Sequence, residues 1–377
     1  MTQTQTIRSQ PIKMAPDFNP FAREFPISPF KQEVEAKSVE FMKRYGLHGT
    51  EEQLRRLPYQ ECGGIAGNIY PMAPNAELLQ IGADFSISAF CWDDEFCDEG
   101  HTRDKPMELA DAAFRTMRCL EGFDVPMDEN DRFALAWRDI LQRISKHAPA
   151  YLMPRWIDSI RQWFLVEIQK ACNVSRKIHP NVSDYMATRL HTGASPTYIH
   201  NILISNNLDL GADLLTDRRL CAMTEITAMN PVLTSDCYSY VKEKERTGDG
   251  YNMIDVLVRE QNLTFEEAMN KTIDIRDNSL KRFIELKDEV LQADGNEKVA
   301  LYIEALENYI MGANKWCQET NRYRIVEGTA MGRVAFVASG FTQDWKGPRL
   351  SEPSDVASIA WWWRIGKRAT NSPKTQQ

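Results

Sequence analysis

A helical hydrophobic period runs through nearly the whole chain, and alternating β-branched runs with hairpin turns are missing, so the backbone must satisfy its hydrogen bonds within helices. The period predicts helices over about 32–45, 74–92, 106–121, 128–146, 154–177, 183–204, 213–243, 252–261, 265–292 and 297–322. Thr264, with Glu267 three residues later, is a capping box for one of them. Within 183–204, Gly193 loosens the helix and Pro196 clashes with the carbonyl of Thr192, so a kink or a helix end is expected there. With 377 residues, 43% of them hydrophobic, the chain can bury one large core or two small ones. No long linker or internal repeat divides it. The expected architecture is one all-α domain over 26–365, a helical bundle around a central cavity. A flexible arm precedes it at 1–25 and a disordered polar tail follows at 366–377.

Against that apolar background, two groups of polar residues stand out. The first is Asp93-Asp94-Glu95-Phe96-Cys97-Asp98-Glu99, which follows a largely apolar run from Ile81 to Trp92. On a regular helix Asp94 and Asp98 would share a face and Asp93 would lie about 100° round, so the three can rim the mouth of a cavity. Acids this dense repel one another, and a cation relieves that repulsion. The second group is Ser235, Ser239 and Glu243 at i, i+4 and i+8, which drifts only about 40° per step and can offer two hydroxyls and a carboxylate to one ion. Lys242, Lys244 and Arg246 set positive charge beside it. Hard cations such as magnesium take carboxylate, hydroxyl and water oxygens, and a diphosphate ester needs several such charges. Taken singly, the first group also reads as a solvated helix end and the second as a salt-bridged surface helix.

Together the groups resemble the class I terpene synthases, in particular the microbial cyclases related to bacterial sesquiterpene synthases. Asp93-Asp94-(x3)-Asp98 is similar to their aspartate-rich motif, and Tyr238-Ser239-Tyr240-Val241-Lys242-Glu243 to their second metal motif. Arg189 stands where the family keeps a diphosphate-sensing arginine, with Thr192 and Gly193 in the places of linker and effector. Trp316-(x5)-Arg322-Tyr323 resembles the late Arg-Tyr motif. The resemblance spans roughly 80–325. It implies three Mg2+ ions, two held through Asp93 with support from Asp94 or Asp98 and one through Ser235, Ser239 and Glu243. Arg189, Lys242, Arg322 and Tyr323 would bind the diphosphate of a prenyl substrate. Farnesyl diphosphate is the default, giving a sesquiterpene. A diterpene cyclase acting on geranylgeranyl diphosphate and a binding protein with impaired turnover are the alternatives. Phe85, Phe90, Trp92 and Trp316 are the ring candidates for stabilising a carbocation through their quadrupoles.

Two positions depart from the family pattern. Ser235 stands where an Asn or Asp ligand is usual, and Thr192 where an acid is usual, so Thr192 can hydrogen-bond Arg189 but not pair with it ionically. Other classes fit less well. An elongating prenyltransferase would carry a second aspartate-rich motif, where this chain has only Asp213-(x3)-Asp217; an Asp-x-Asp-Asp acid motif and paired Glu-x-x-His are absent. A net charge of −8 without a basic tract argues against nucleic acid as the main partner. Eight cysteines without a CxxC pair suggest reduced thiols in a cytoplasmic protein, and no run of about 18 apolar residues suggests a membrane span. The resemblance favours a monomer or homodimer.

Overall fold

Asp217, Asn75, Asn252 and Asn296 each accept a backbone amide of the turn that follows them, and each starts a helix where the sequence changes from polar to apolar. The computed structural model describes residues 10–98, 100–122, 130–293, 296–348 and 356–365. Their order is α1 (Lys31–Tyr45), α2 (Glu51–Tyr59), α3 (Ile65–Ile69), α4 (Ala76–Trp92), α5 (Pro106–Leu120), α6 (Arg132–His147) and α7 (Leu152–Arg176). There follow α8 (Val182–Thr192), α9 (Ser195–Ser205), α10 (Arg218–Arg246), α11 (Met253–Gln261), α12 (Phe265–Ala293), α13 (Glu297–Glu319) and the single turn α14 (Asn321–Arg324). The all-α expectation holds. The capping box is present as read, with the Glu267 amide donating to Thr264 Oγ1 and the Thr264 amide to Glu267 Oε2.

α4 is buried on nearly every side, as its continuous apolar sequence requires, and packs against α1, α3, α6 and α9. α10 lies against α12, α13 and α9. α13 crosses α3 so closely that a Cβ on Gly312 would meet the Asn68 carbonyl at 2.1 Å. Only glycine allows that approach, which brings the aromatic face of α13 up to the cavity.

Several boundaries differ from the sequence reading. The segment 183–204 is two helices, because Ala194 takes a left-handed φ of 54° and Pro196 has no amide for the Thr192 carbonyl. The segment 213–243 begins as a helix only after Asp217, and 297–322 breaks at Thr320, whose hydroxyl accepts the Arg322 amide and restarts the chain as α14. The short helices α2 and α3 were not anticipated, since each is too brief to show a period. Among the described residues no helix is long and apolar enough to cross a membrane.

The expected loose arm 1–25 is docked wherever it is described. Ile12–Lys13 pairs in parallel with Phe336–Val337, and Asp17–Phe18 with Phe341–Thr342. Met14, Asp17 and Phe18 are buried. Asp17 anchors the strap: it accepts hydrogen bonds from Arg276 on α12 (2.7 Å), Tyr238 on α10 (2.9 Å) and Gln318 on α13 (2.6 Å). Low sequence hydrophobicity hid this, because the anchor is an ion pair and not an apolar stripe. Residues 1–9 and the tail 366–377 lie outside the described residues.

Asp17→Ala leaves Arg276 buried with one carboxylate fewer and Gln318 and Tyr238 without their acceptor. The expected loss is about 3 kcal/mol of unfolding free energy, read from denaturant titration against the wild type. An unchanged midpoint would show that the strap contributes nothing to stability.

Candidate active site

Three helices deliver their C-terminal ends to one cavity, and their sequences are graded along it. α4 contributes Ala89 and Phe90, then Asp93 and Asp98 just past its end; α10 contributes Pro231, Val232 and Ser235, then Lys242 and Glu243; α13 contributes Tyr309, Ala313 and Trp316, with Arg322 and Tyr323 beyond it. Charged groups therefore gather at one end of the cavity and apolar ones lie one to three turns deeper. The break between α8 and α9 adds Arg189, Thr192, Gly193, Ala194 and Ser195, α9 adds Tyr198, and α7 adds Trp163.

The acidic segment is not a regular helix. Asp93–Cys97 forms a π-turn closed by the Asp98 amide on the Asp93 carbonyl at 3.0 Å. Residues five apart on an α-helix lie about 140° from each other, and the i to i+5 closure brings Asp93 and Asp98 to the same side. Asp94 is thereby turned away, which corrects its expected place on the cavity rim. It is fully buried between two arginines: Arg322 makes a two-pronged contact (2.7 and 3.3 Å) and Arg56 of α2 donates at 2.9 Å. Its oxygens are committed to guanidinium groups.

Arg322 also reaches to 3.6 Å from Asp93, donates to Gln60 Oε1 and lies over the Phe90 ring at 4.5 Å. Phe90 stacks on Trp316 (5.5 Å), whose other neighbour is Tyr323. Ser235 Oγ donates to Tyr323 Oη at 2.9 Å, tying the second polar group to the Arg-Tyr pair. Arg189 pairs with Asp236 at 2.8 Å and donates to Thr192 Oγ1 at 3.0 Å. Thr192 thus bonds the arginine as expected, while the acid partner comes from α10. Asp236 also accepts from Tyr185 Oη and the Met253 amide.

Two ring candidates do not reach the cavity. Phe85 is packed edge-on against Trp156 and Tyr198. Trp92 stacks on Phe164 at 4.6 Å and joins Phe96, Phe133 and Trp137 in a cluster behind the acids. Both point away because α4 is buried on all sides, so adjacency in sequence to Asp93 does not decide which face meets the cavity.

α7 supplies groups that the motifs did not reveal. Glu167 is buried with its carboxylate beside Asp93 and Cys97, the three offering ligand atoms within 4.8 Å of one another. Lys170 Nζ lies 2.5 Å from Asp98 Oδ1 and 3.9 Å from Glu167 Oε2. A signal was present: Trp156, Ile160, Trp163, Phe164 and Ala171 form the buried stripe of α7, and Glu167 falls within it. A carboxylate at a core position needs a partner or an ion.

The donor set fits a hard divalent cation. Among the described residues, Ser239 Oγ is buried without a hydrogen-bond partner, one turn from both Ser235 and Glu243, and Glu167 Oε2 is likewise buried without a hydrogen bond, its nearest cation being Lys170 at 3.9 Å. Burial, with repulsion from Asp98 and Asp236, pushes Glu243 up to about 7. Burial also pushes Glu167 up to about 7, against the pull of Lys170. Asp93 is raised well above the usual carboxylate range by burial and by the charges of Asp98 and Glu167. Asp98 is lowered, because Lys170 and Lys242 outweigh its burial. Cys97 is less suited, since burial holds its thiol protonated and a hard ion prefers oxygen.

The family profile described as "terpene synthase family 2, C-terminal metal binding" matches residues 84–282, more than half of the chain. The germacradien-6-ol synthase of Streptomyces pratensis is 26% identical over 343 residues, spanning 90% of this chain and 94% of that protein. The 4-epi-cubebol synthase of Streptosporangium roseum, described as cyclising (2E,6E)-farnesyl diphosphate, is 24% identical over 83% of this chain and 93% of its own length. Phomopsene synthase of Allokutzneria albata is 25% identical over 96% and 99%. Among solved structures, the ancestrally reconstructed SVS_A2 protein carrying a substituted 205–209 segment superposes with a TM-score of 0.77, 25% identity and coverage of 94% of this chain and 99% of that one.

The raised carboxylates have a stability consequence with a definite sign. Between the usual value of 4.5 and about 7, Glu243 keeps a proton in the folded chain that the unfolded chain has released, so stability of the metal-free protein falls as pH rises through that window. Glu243→Gln should flatten this fall. Thermal melts of chelator-treated protein from pH 4.5 to 8 would test it; equal slopes for variant and wild type would remove Glu243 as a source.

Proposed function

The chain belongs to terpene synthase family 2, and from that premise we propose that it ionises farnesyl diphosphate with the help of three Mg2+ ions and cyclises the resulting cation to a sesquiterpene. Its class is that of a bacterial-type class I terpene synthase, a carbon–oxygen lyase acting on a diphosphate. The observation that carries the finer reading is the graded cavity, with acids and bases concentrated at the helix ends and aromatic walls directly beneath them.

In this reading Asp93 and Asp98 hold ions on one side, and Ser235, Ser239 and Glu243 on the other. Bound magnesium supplies the Lewis acidity that stabilises the departing diphosphate. Asp94 is not among the ligands; it holds Arg322 in place. Arg189, Lys242, Arg322 and Tyr323 bind the diphosphate oxygens, and their charges and hydrogen bonds favour the state in which the C1–O bond has broken. Water is excluded below by Ile65, Ala89, Val232 and Ala313. The allylic chain then lies against Trp316, Phe90 and Tyr198, whose ring faces stabilise positive charge without attacking it. At the break between α8 and α9 the amides of Thr197 and Tyr198 both go to the Ala194 carbonyl. Pro196 has no amide to offer the Thr192 carbonyl, and in this reading that carbonyl and the Gly193 carbonyl beside the cavity supply the dipoles that stabilise the cation.

The test is incubation of the purified protein with geranyl, farnesyl and geranylgeranyl diphosphates, with and without magnesium, followed by mass analysis of the organic extract. A cyclic hydrocarbon or alcohol formed from farnesyl diphosphate only when magnesium is present is expected. A cyclic product from geranylgeranyl diphosphate alone would overturn the chain length, a longer linear diphosphate would point to an elongating transferase, and no product to a binding protein. Asp93→Ala, Glu243→Ala and Arg322→Ala should each lower turnover by roughly 100-fold or more in folded protein. Ser235→Asn should lower the magnesium concentration needed for half-maximal rate, because an amide oxygen reaches further than a hydroxyl.

A further inference from the structure

The two metal-binding groups do not explain why Lys170 stands at the acidic end. It projects from α7, an element that carries neither group, and its side chain is only 12% exposed. Its ammonium lies 2.5 Å from Asp98 and 3.9 Å from Glu167, and 5.8 Å from the centre of the Tyr251 ring. Glu167 keeps its other interest in the site: Oε2 is buried without a hydrogen-bond partner among the described residues, and the carboxylate stands within 4.8 Å of Asp93.

A tethered ammonium competes with a dissolved ion on favourable terms, because its translational freedom is already lost through the chain. Asp93, Asp98, Glu167 and Glu243 are set against Lys170 and Lys242, so the side chains already neutralise part of the charge that would otherwise draw metal. A divalent ion entering this end must share Asp98 with the ammonium or displace it. A diphosphate changes the balance, since its about three negative charges give both the ammonium and the incoming ions further oxygens to bind.

We propose that Lys170 is a built-in counter-ion that competes with divalent cations for Asp98 and Glu167, so that this end of the cavity takes up metal together with the diphosphate and not ahead of it. The inference rests on the reading that Asp93 and Asp98 hold metal. It makes Lys170 a positioning residue whose effect is read in metal affinity.

The experiment is a titration of the full chain with Mn2+, followed by the loss of the free-ion paramagnetic signal, with and without inorganic pyrophosphate. Wild type should bind weakly alone and tightly with pyrophosphate. Lys170→Met should bind Mn2+ roughly tenfold more tightly than wild type without pyrophosphate, and Lys170→Arg should behave as wild type. Equal affinities of Lys170→Met and wild type without pyrophosphate would overturn the proposal, as would tight binding by wild type alone. Should Lys170→Met be unstable without metal, melting midpoints against Mn2+ concentration carry the same comparison; the variant should be stabilised at lower Mn2+ than wild type, and identical curves would overturn it. Binding by no protein even with pyrophosphate would overturn the metal-site reading, and this inference with it.

Discussion

Asp94, held between Arg56 and Arg322, is the contact on which the rest of the site depends. Arg322 is itself only 3% exposed, and a guanidinium that deep is tolerable only if its charge is met at close range by a well-placed carboxylate. The pair joins α2, the end of α4 and α14, three segments far apart in sequence, at the mouth of the cavity. It also divides the labour among neighbouring acids. With Asp94 committed to the arginines, Asp93 and Asp98 are left for the cavity, and the π-turn allows both to face it.

The same economy explains what could be read from the sequence and what could not. The helix content followed from an apolar period that little in the chain interrupts, and the cap at Thr264 and the break at Gly193–Pro196 are local chemistry. The order and spacing of Asp93, Asp98, Arg189, Glu243, Trp316 and Arg322 repeat a known pattern, and all six line the cavity. Asp94 was misplaced because a regular helix was assumed where the chain closes i to i+5. Phe85 and Trp92 were misplaced because a helix buried on all sides gives no clue to which face meets a cavity. Asp236 is the acid that Thr192 does not supply to Arg189, contributed from another helix. Pairings between elements are tertiary facts, and only an out-of-place charge such as Glu167 hints at them.

Asp17 makes a related point about the chain's beginning. An arm with few apolar residues reads as loose when only hydrophobic burial is counted. Its carboxylate nevertheless ties α10, α12 and α13 through Tyr238, Arg276 and Gln318. Tyr238 lies between Ser235 and Ser239 on α10, about 60° round the helix from Ser235, and its ring packs edge-on against Phe336. The strap thus braces the helix that carries the second polar group, which couples a segment of low apparent order to the register of the site.

Helix direction supplies the remaining constraint. α4, α10 and α13 all end at the polar side of the cavity, and the C-terminal end of a helix carries a partial negative charge of about half a unit from its unpaired carbonyls. This side of the cavity is therefore negative before any side chain is counted, and the carboxylates deepen it. A diphosphate could not approach such a surface unaided. Arg189, Lys242, Arg322 and Lys170 offset part of the charge, but Arg189 and Arg322 are themselves engaged by Asp236 and Asp94. Neutralising both the carbonyl ends and an incoming diphosphate then requires mobile cations of high charge, which oxygen donors such as Asp93 and Glu243 can hold. The demand for divalent metal follows from the orientation of the helices as much as from the acids that would bind it.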